Sequence, residues 1–552
     1  MKIIKYILII SLLLASVAMS AENLKVRIDS PVAPVVVGIE ASPVSKVTLY
    51  RAGDRDCSVE KVCMSFSGTT DCFDIEQVCL YGVNKKGLPD TGRRLSDPVG
   101  LVGENAEISC DIDIVSDTTV FWVAVKLKDT VCLDHKVYAK CERIETSSGR
   151  LRVPENGHSP MRAGVAVRKK NQDGVASSRI PGLAAGVDGT LYAVFDARHD
   201  SARDLQGNID IGMHRSSDGG MTWKPLQIVL DMGTWGGLPE KYNGVSDACI
   251  LVDKVSGDIL VAGLWMHGLL DKNGNWIDGL NENSTEWEHQ WKSKGSQPGH
   301  SLKQTCQFLI TRSSDGGETW SFPDNITLDT KPEQWWLYAP APGHGITMSD
   351  GTLVFPTQGR DAEGQPFSNI TYSADHGRTW TASSGAYSDV TECNVVELDS
   401  SSLMLNMRDN RNKGNKSVNG RRICVTTDLG KTWQEHHTSR NALVEPTCMG
   451  ALHRHEYIQD GKKKTMLLFS NPSDTSVREN LTLKASLDMG ETWPDRYHIK
   501  FDQFRSAGYS SIESVDNDTI GILYESALAD LVFIRISLDE ILSYKESKPN
   551  NQ

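Results

Sequence analysis

Beyond its first residues the sequence has no long apolar run. The one present, Ile7 to Leu14, follows Lys2 and Lys5 and precedes the small-residue stretch Ala18-Met19-Ser20, the three-part pattern of a cleaved export leader. It is too short to span a bilayer, and no other segment approaches 18 uninterrupted apolar residues. No cysteine follows it closely, which argues against a lipid anchor. The expectation is a leader over 1–21 cut near Ser20 or Ala21, no integral membrane segment afterwards, and a secreted or periplasmic protein. Positive charge is short as well: 58 Lys and Arg face 71 Asp and Glu, for a net charge of −13. That leaves no basic surface of the kind nucleic acid requires, so no nucleic-acid partner is expected. An anionic ligand would have to be drawn by a local cluster of Arg or Lys, against the overall charge. Zinc-type CxxC spacing is missing from Cys57, Cys63, Cys72 and Cys79, and no metal is expected. Seven of the 12 cysteines lie between Cys57 and Cys141. Export permits disulfides among them, and buried thiols are the alternative.

What is present is a globular composition, 39% hydrophobic and 23% charged, in a chain of 552 residues, long enough for more than one core. Short alternating runs, VSKVTLYRAG, TVFWVAVKL and HKVYAKCERI, predict strands and a small β-sandwich over 22–150. RVPENGHSPMRAG at 152–164 reads as a linker. From 155 to 545 strand-like runs continue, among them GTLYAVFDA, GDILVAGLW, SLMLNMR and TIGILYES.

Over that second region one phrase recurs five times: SSDGGMTW at 216–223, SSDGGETW at 313–320, SADHGRTW at 373–380, TTDLGKTW at 426–433 and SLDMGETW at 486–493. Its Asp residues are 97, 60, 53 and 60 positions apart, about four strands per unit. Radial repetition of such units predicts an all-β fold, a six-bladed β-propeller preceded by the sandwich. The phrase itself has the chemistry of a turn: Asp accepts nearby N–H groups, Gly supplies positive φ, and Trp packs the hairpin. Five copies of one catalytic group could hardly converge on one site, so the chemistry must lie between the repeats.

The stretch running from Ser-Ser-Arg-Ile-Pro at 177–181 into the first repeat resembles the sialidases, the bacterial-type exo-α-neuraminidases of glycoside hydrolase family 33. Their propellers carry the repeat as an Asp box and open on Arg-Ile-Pro. The resemblance spans about 155–545 and implies a retaining enzyme that acts on sialylated glycans and needs no cofactor. It implies that Arg179 in SRIP, Arg408 in SLMLNMRDN and Arg478 in SVRENL grip the substrate carboxylate. Planar paired donors that stay charged suit that task. Ser178 departs from the Tyr many relatives carry there.

Tyr509, in RSAGYSSIES, matches the family's nucleophile. Sialidases are the exception to the two-carboxylate rule of glycosidases, and the substrate's own carboxylate, on the anomeric carbon, would repel a carboxylate nucleophile. Phenol titrates near 10, so it needs a base. Glu392 matches that base, with Glu397 as the alternative. Asp204, in ARDLQGNID, matches the general acid/base, with Asp200 as its competitor; partial burial would have to raise its pKa. Arg198 and Asp247 resemble residues that contact the sugar's hydroxyl and N-acetyl side. His344, between glycines in PAPGHGI, reads as conformational, and Glu286, Glu288 and His289 as a solvated face. The same residues fit a trans-sialidase, and a propeller that binds sialic acid without cleaving it would keep the Asp boxes.

Overall fold

The alternating runs of the N-terminal region form strands because β-branched and aromatic residues suit a pleated, half-buried surface. The computed structural model describes residues 24–51, 57–115, 117–154, 160–205, 207–237, 240–268, 295–414 and 419–543. The proposed leader at 1–21, and Glu286, Glu288 and His289, lie outside them. The chain divides into two compact units, Met1–Val165 and Ala166–Gln552.

In the first unit Leu24–Asp29, Ser42–Arg51, Thr118–Leu127, Ile75–Val83 and Pro89–Arg94 make a five-stranded sheet. Gly149–Leu151, Lys140–Thr146, Ser58–Ser65 and Asn105–Asp113 make a four-stranded one. Val44, Val47, Leu49, Val62, Phe121 and Val123 are fully buried, which gives the two-sheet unit a core of its own. Met161–Arg168, inside the stretch read as a linker, is a strand, and its residues 163–165 pair in parallel with Val35–Val37. The Pro and Gly before it masked the alternation in MRAGVAVR. All 12 cysteines are free thiols, with no disulfide in the first cluster. Cys63, Cys79 and Cys141 are buried and pack as small hydrophobes; burial, reinforced by Cys63, pushes the Cys141 thiol up to about 12.

The second unit is a β-propeller of six antiparallel blades. The blades open on Ser177–Ala185, Asn243–Val252, Leu337–Pro340, Val390–Asp399, Ala451–Gln459 and Ser510–Ser514. These first strands lie against one another around the centre of the ring, except that the fourth blade's first strand meets Leu353–Arg360 of the third. Apolar clusters fill the space between successive blades, such as Val194, Ile211, Val261 and Trp265 between the first and second. Closure is hydrogen-bonded: Leu183 N donates to Ser511 Oγ at 3.0 Å and Ser178 N to Asp530 Oδ2 at 2.8 Å, joining the first blade to the last. Among the described residues no helix is long and apolar enough to cross a membrane.

The five repeats are one turn built five times. In the second copy Ser313 Oγ accepts from Gly317 N at 2.9 Å and donates to Asp315 Oδ1 at 2.8 Å. Asp315 also accepts from Thr319 N and Thr319 Oγ1, at 2.9 and 2.5 Å. The other four copies repeat these bonds. Thr319 and Ser313 hold the Asp315 carboxyl down at about 2. Each turn also leans on the preceding blade. Gly220, at φ 87°, lies so close to Phe533 of the sixth blade that a Cβ would fall 2.1 Å from its ring.

Candidate active site

A strand sends alternate side chains to opposite faces, so aiming two neighbours at one point requires an irregularity. The first strands of the first, second and fourth blades each supply one. Their registers break between Arg179 and Gly182, between Ser246 and Cys249, and between Val390 and Cys393. The breaks carry Arg179, Asp247 and Glu392. Ile180 and Asp247 adopt positive φ, 62° and 59°, as do Leu205 at 40° and Asp389 at 55° beside the same cavity. Left-handed backbone at non-glycine residues costs about 1–3 kcal/mol each and gathers at functional sites.

Seven of the eight residues singled out in the sequence, Arg179, Asp204, Asp247, Glu392, Arg408, Arg478 and Tyr509, line one cavity of about 800 Å³. The Tyr509 hydroxyl, on a largely buried ring, donates to Glu392 Oε1. Arg408 Nη1 bridges the pair, donating to Glu392 Oε2 at 2.5 Å and to Tyr509 Oη at 3.1 Å. Burial, reinforced by the Glu392 charge, holds the Tyr509 phenol well above its ordinary value. Tyr509 therefore rests as the neutral phenol. Arg179 and Arg478 flank the phenol ring, their guanidinium carbons 5.7 and 5.6 Å from its centre. Backbone carbonyls of Ala507 and Thr447 hold Arg478 at 2.9 and 3.1 Å.

Sequence reasoning missed Glu525, which sets this geometry. Its carboxylate accepts from Arg179 Nε at 2.5 Å, Ile180 N at 3.0 Å and Tyr509 N at 2.9 Å, and it is 1% exposed. Burial works against the Arg179 charge, but Glu525 outweighs it and raises the guanidinium above its ordinary value. A lone acid ending the apolar run TIGILY was the only signal in the sequence.

Arg198 stands behind the cavity wall. It is fully buried, donates to Asp196 Oδ2 at 2.9 Å and to the Ala202 carbonyl at 2.9 Å, and pairs with Asp204. Its reach is used up by these partners, so it holds the Asp204 loop instead of facing the cavity. Asp204 itself is 72% exposed at its side chain, not the partly buried carboxyl expected, although it lines the cavity and pairs with the buried Arg198. Asp247 accepts from Gln358 Nε2 at 3.0 Å. Burial, reinforced by Asp196 and Glu392, pushes its carboxyl well up. Among the alternatives, Asp200 lies off the cavity and accepts from Asn208 N at 3.4 Å. Glu397 accepts from Ser349 N and Oγ and lines a different cavity, together with His344. None of the five Asp boxes contributes to the site.

Residues 180–511 match the BNR repeat-like domain. A sialidase of Bacteroides fragilis is 35% identical over 513 residues, which cover 88% of this chain and 90% of that protein. A sialidase of Micromonospora viridifaciens is 30% identical over 68% of this chain and 53% of its own length. Among solved structures, Hadza microbial sialidase Hz136 has a TM-score of 0.83 at 33% identity, across 93% of this chain and 100% of that one. With a propeller of repeated Asp boxes around a cavity of arginines, tyrosine and carboxylates, the chain belongs to the bacterial-type sialidases with BNR repeats, glycoside hydrolases of the exo-sialidase class.

Proposed function

We propose that the protein removes terminal α-linked sialic acid from glycoproteins, glycolipids and oligosaccharides with retention, through a tyrosyl-glycoside intermediate. The observation that carries this reading is the Tyr509–Glu392 hydrogen bond bridged by Arg408. Arg179, Arg408 and Arg478 hold the substrate carboxylate. Glu392 takes the phenol proton as Tyr509 Oη bonds to the anomeric carbon, and Asp204 gives its proton to the departing glycosidic oxygen. Asp204 then deprotonates water, which attacks the anomeric carbon, and the tyrosyl oxygen leaves with the proton returned by Glu392.

Tyr509→Phe should abolish turnover of an aryl sialoside while the melting temperature stays that of the wild type; wild-type-like turnover would sink the nucleophile. Proton NMR of the first product formed should show the α-anomer, and the β-anomer would refute retention. Excess lactose in the same reaction separates hydrolysis from transfer, which would produce sialyl-lactose. Export by the 1–21 leader belongs to the same reading, supported by its tripartite pattern. So does glycan binding by the N-terminal unit, where Phe73 is 80% exposed. Phe73→Ala should weaken retention on an immobilised sialoglycoprotein and leave aryl sialoside turnover alone.

A further inference from the structure

A terminal sialic acid carries one carboxylate, and three guanidiniums already surround its place. The cavity has two more cations. Arg360 ends the strand Leu353–Arg360 of the third blade, and Lys413 ends the short helical turn Asn410–Lys413 that follows Arg408 in the fourth. Every triad arginine is held by protein groups: Arg179 by Glu525, Arg408 by Glu392, Arg478 by two carbonyls. Arg360 and Lys413 differ, since neither side chain makes a hydrogen bond or ion pair among the described residues. Two acids of the cavity wall act on Lys413, and each lies against another cation: Glu392 against Arg408, and Asp389 4.0 Å from the Nε of Arg411.

Arg360 is half-buried, its stem lying against Gly295. Burial alone pushes its guanidinium down, with no carboxylate to offset it. Lys413 is pushed down by burial and by the charges of Arg408 and Arg360, which outweigh the opposite pull of Asp389 and Glu392 and place the two cations in one field. Withdrawing the Arg360 charge from water without a counter-ion is costly, and pairing it with an anion is what relieves it; Lys413 is exposed and adds its charge from the rim. The protein's net charge of −13 makes such a cluster a local exception. Gln365 and Asn410 on the same wall offer hydrogen bonds to sugar hydroxyls.

We propose that Arg360 and Lys413 form a second anion subsite, which receives a negatively charged group on the sugar next to the scissile bond. That group is the carboxylate of a second sialic acid or a sulfate ester. The subsite rests on the exo-sialidase reading above and refines it to substrates charged at the penultimate residue.

The test compares kcat/KM on four substrates: an aryl sialoside, α2,3-sialyllactose, α2,8-disialyllactose, and a sialyllactose sulfated on galactose. Arg360→Gln and Lys413→Gln should each lower kcat/KM on a charged substrate about tenfold or more. The aryl and neutral substrates should stay within about twofold of the wild type. The arm that falls identifies the anion as carboxylate or sulfate. With the wild type alone, added salt should depress turnover of the charged substrate more steeply than that of sialyllactose. This measurement stands even if a variant fails to fold. Equal losses on all four substrates, or no loss and no excess salt dependence on either charged one, would overturn the subsite while leaving the sialidase reading intact. A wild type that releases sialic acid from none of the four would overturn both.

Discussion

Replacing Glu525 by Gln tests whether one buried carboxylate both closes the ring and sets the catalytic geometry. Three donors converge on it: Arg179 Nε at 2.5 Å, Ile180 N at 3.0 Å and Tyr509 N at 2.9 Å. An amide offers one acceptor oxygen and an NH2 group, so at least one of those N–H groups would face another N–H. A hydrogen bond to a charged group contributes about 1.5–3 kcal/mol. Removing the charged partner of a buried cation brings the total to about 3–5 kcal/mol. At ~1.4 kcal/mol per decade, that corresponds to a loss of about two to three and a half decades in kcat/KM if all of it falls on the transition state. Part will fall on the fold, since Glu525 joins the first and last blades, and the melting temperature should drop by on the order of 5 °C. The assay is steady-state kinetics on an aryl sialoside beside a thermal melt. KM should rise as Arg179 loses its orientation, and kcat should fall as Tyr509 shifts on Glu392. A kcat/KM within about threefold of the wild type at an unchanged melting temperature would refute the reasoning.

The turns and the buried charges make further predictions. Gly220→Ala puts a methyl group 2.1 Å from Phe533 at φ 87°, and should cost about 2–4 kcal/mol in denaturant unfolding. Gly461→Ala, at φ 70° with open space around it, should cost about 1 kcal/mol, and both variants should keep wild-type kinetics. Asp315 has a folded pKa held down at about 2 against the usual 3.8. Its stabilisation is therefore complete above that usual value and is lost as pH falls through about 2, so Asp315→Asn should flatten the acid limb of melting temperature against pH; an unchanged limb would contradict the turn assignment. Lys484 is fully buried against Asn471 Oδ1, and burial, then Arg421, pushes it down to about 7 from 10.5. Its penalty is full below pH 7 and fades toward 10, so Lys484→Met should raise the melting temperature at pH 6 and gain less at pH 9.

The fold was legible because its signal is local and repeated. The bonds that shape the turn, among Ser313, Asp315, Gly317 and Thr319, all fall within seven residues of chain, and the other four boxes repeat them. Such a turn needs nothing distant to form, so its spacing announces the blades. The strand at Met161–Arg168 was hidden for the converse reason, since its partner Val35–Val37 lies far off in sequence. Between disulfides and buried thiols the sequence could not choose, because composition does not report where thiols end up; the structure has them free.

The site divides along the same line. By itself the sequence determined which residue types were available and in which blades, since Arg179, Glu392, Arg408, Arg478 and Tyr509 each stand in a distinctive local phrase. Only the tertiary structure decided which of them meet. Register breaks and left-handed residues on three first strands turn Arg179, Asp247 and Glu392 toward one point, while Glu397, five residues along from Glu392, faces another cavity. It also decided that Arg198 serves from behind the wall and that Glu525, unremarkable in TIGILYES, fixes both Arg179 and Tyr509. The physical reason is the ring itself: residues more than 300 positions apart become hydrogen-bonded neighbours when the sixth blade closes on the first, and no local pattern encodes that closure.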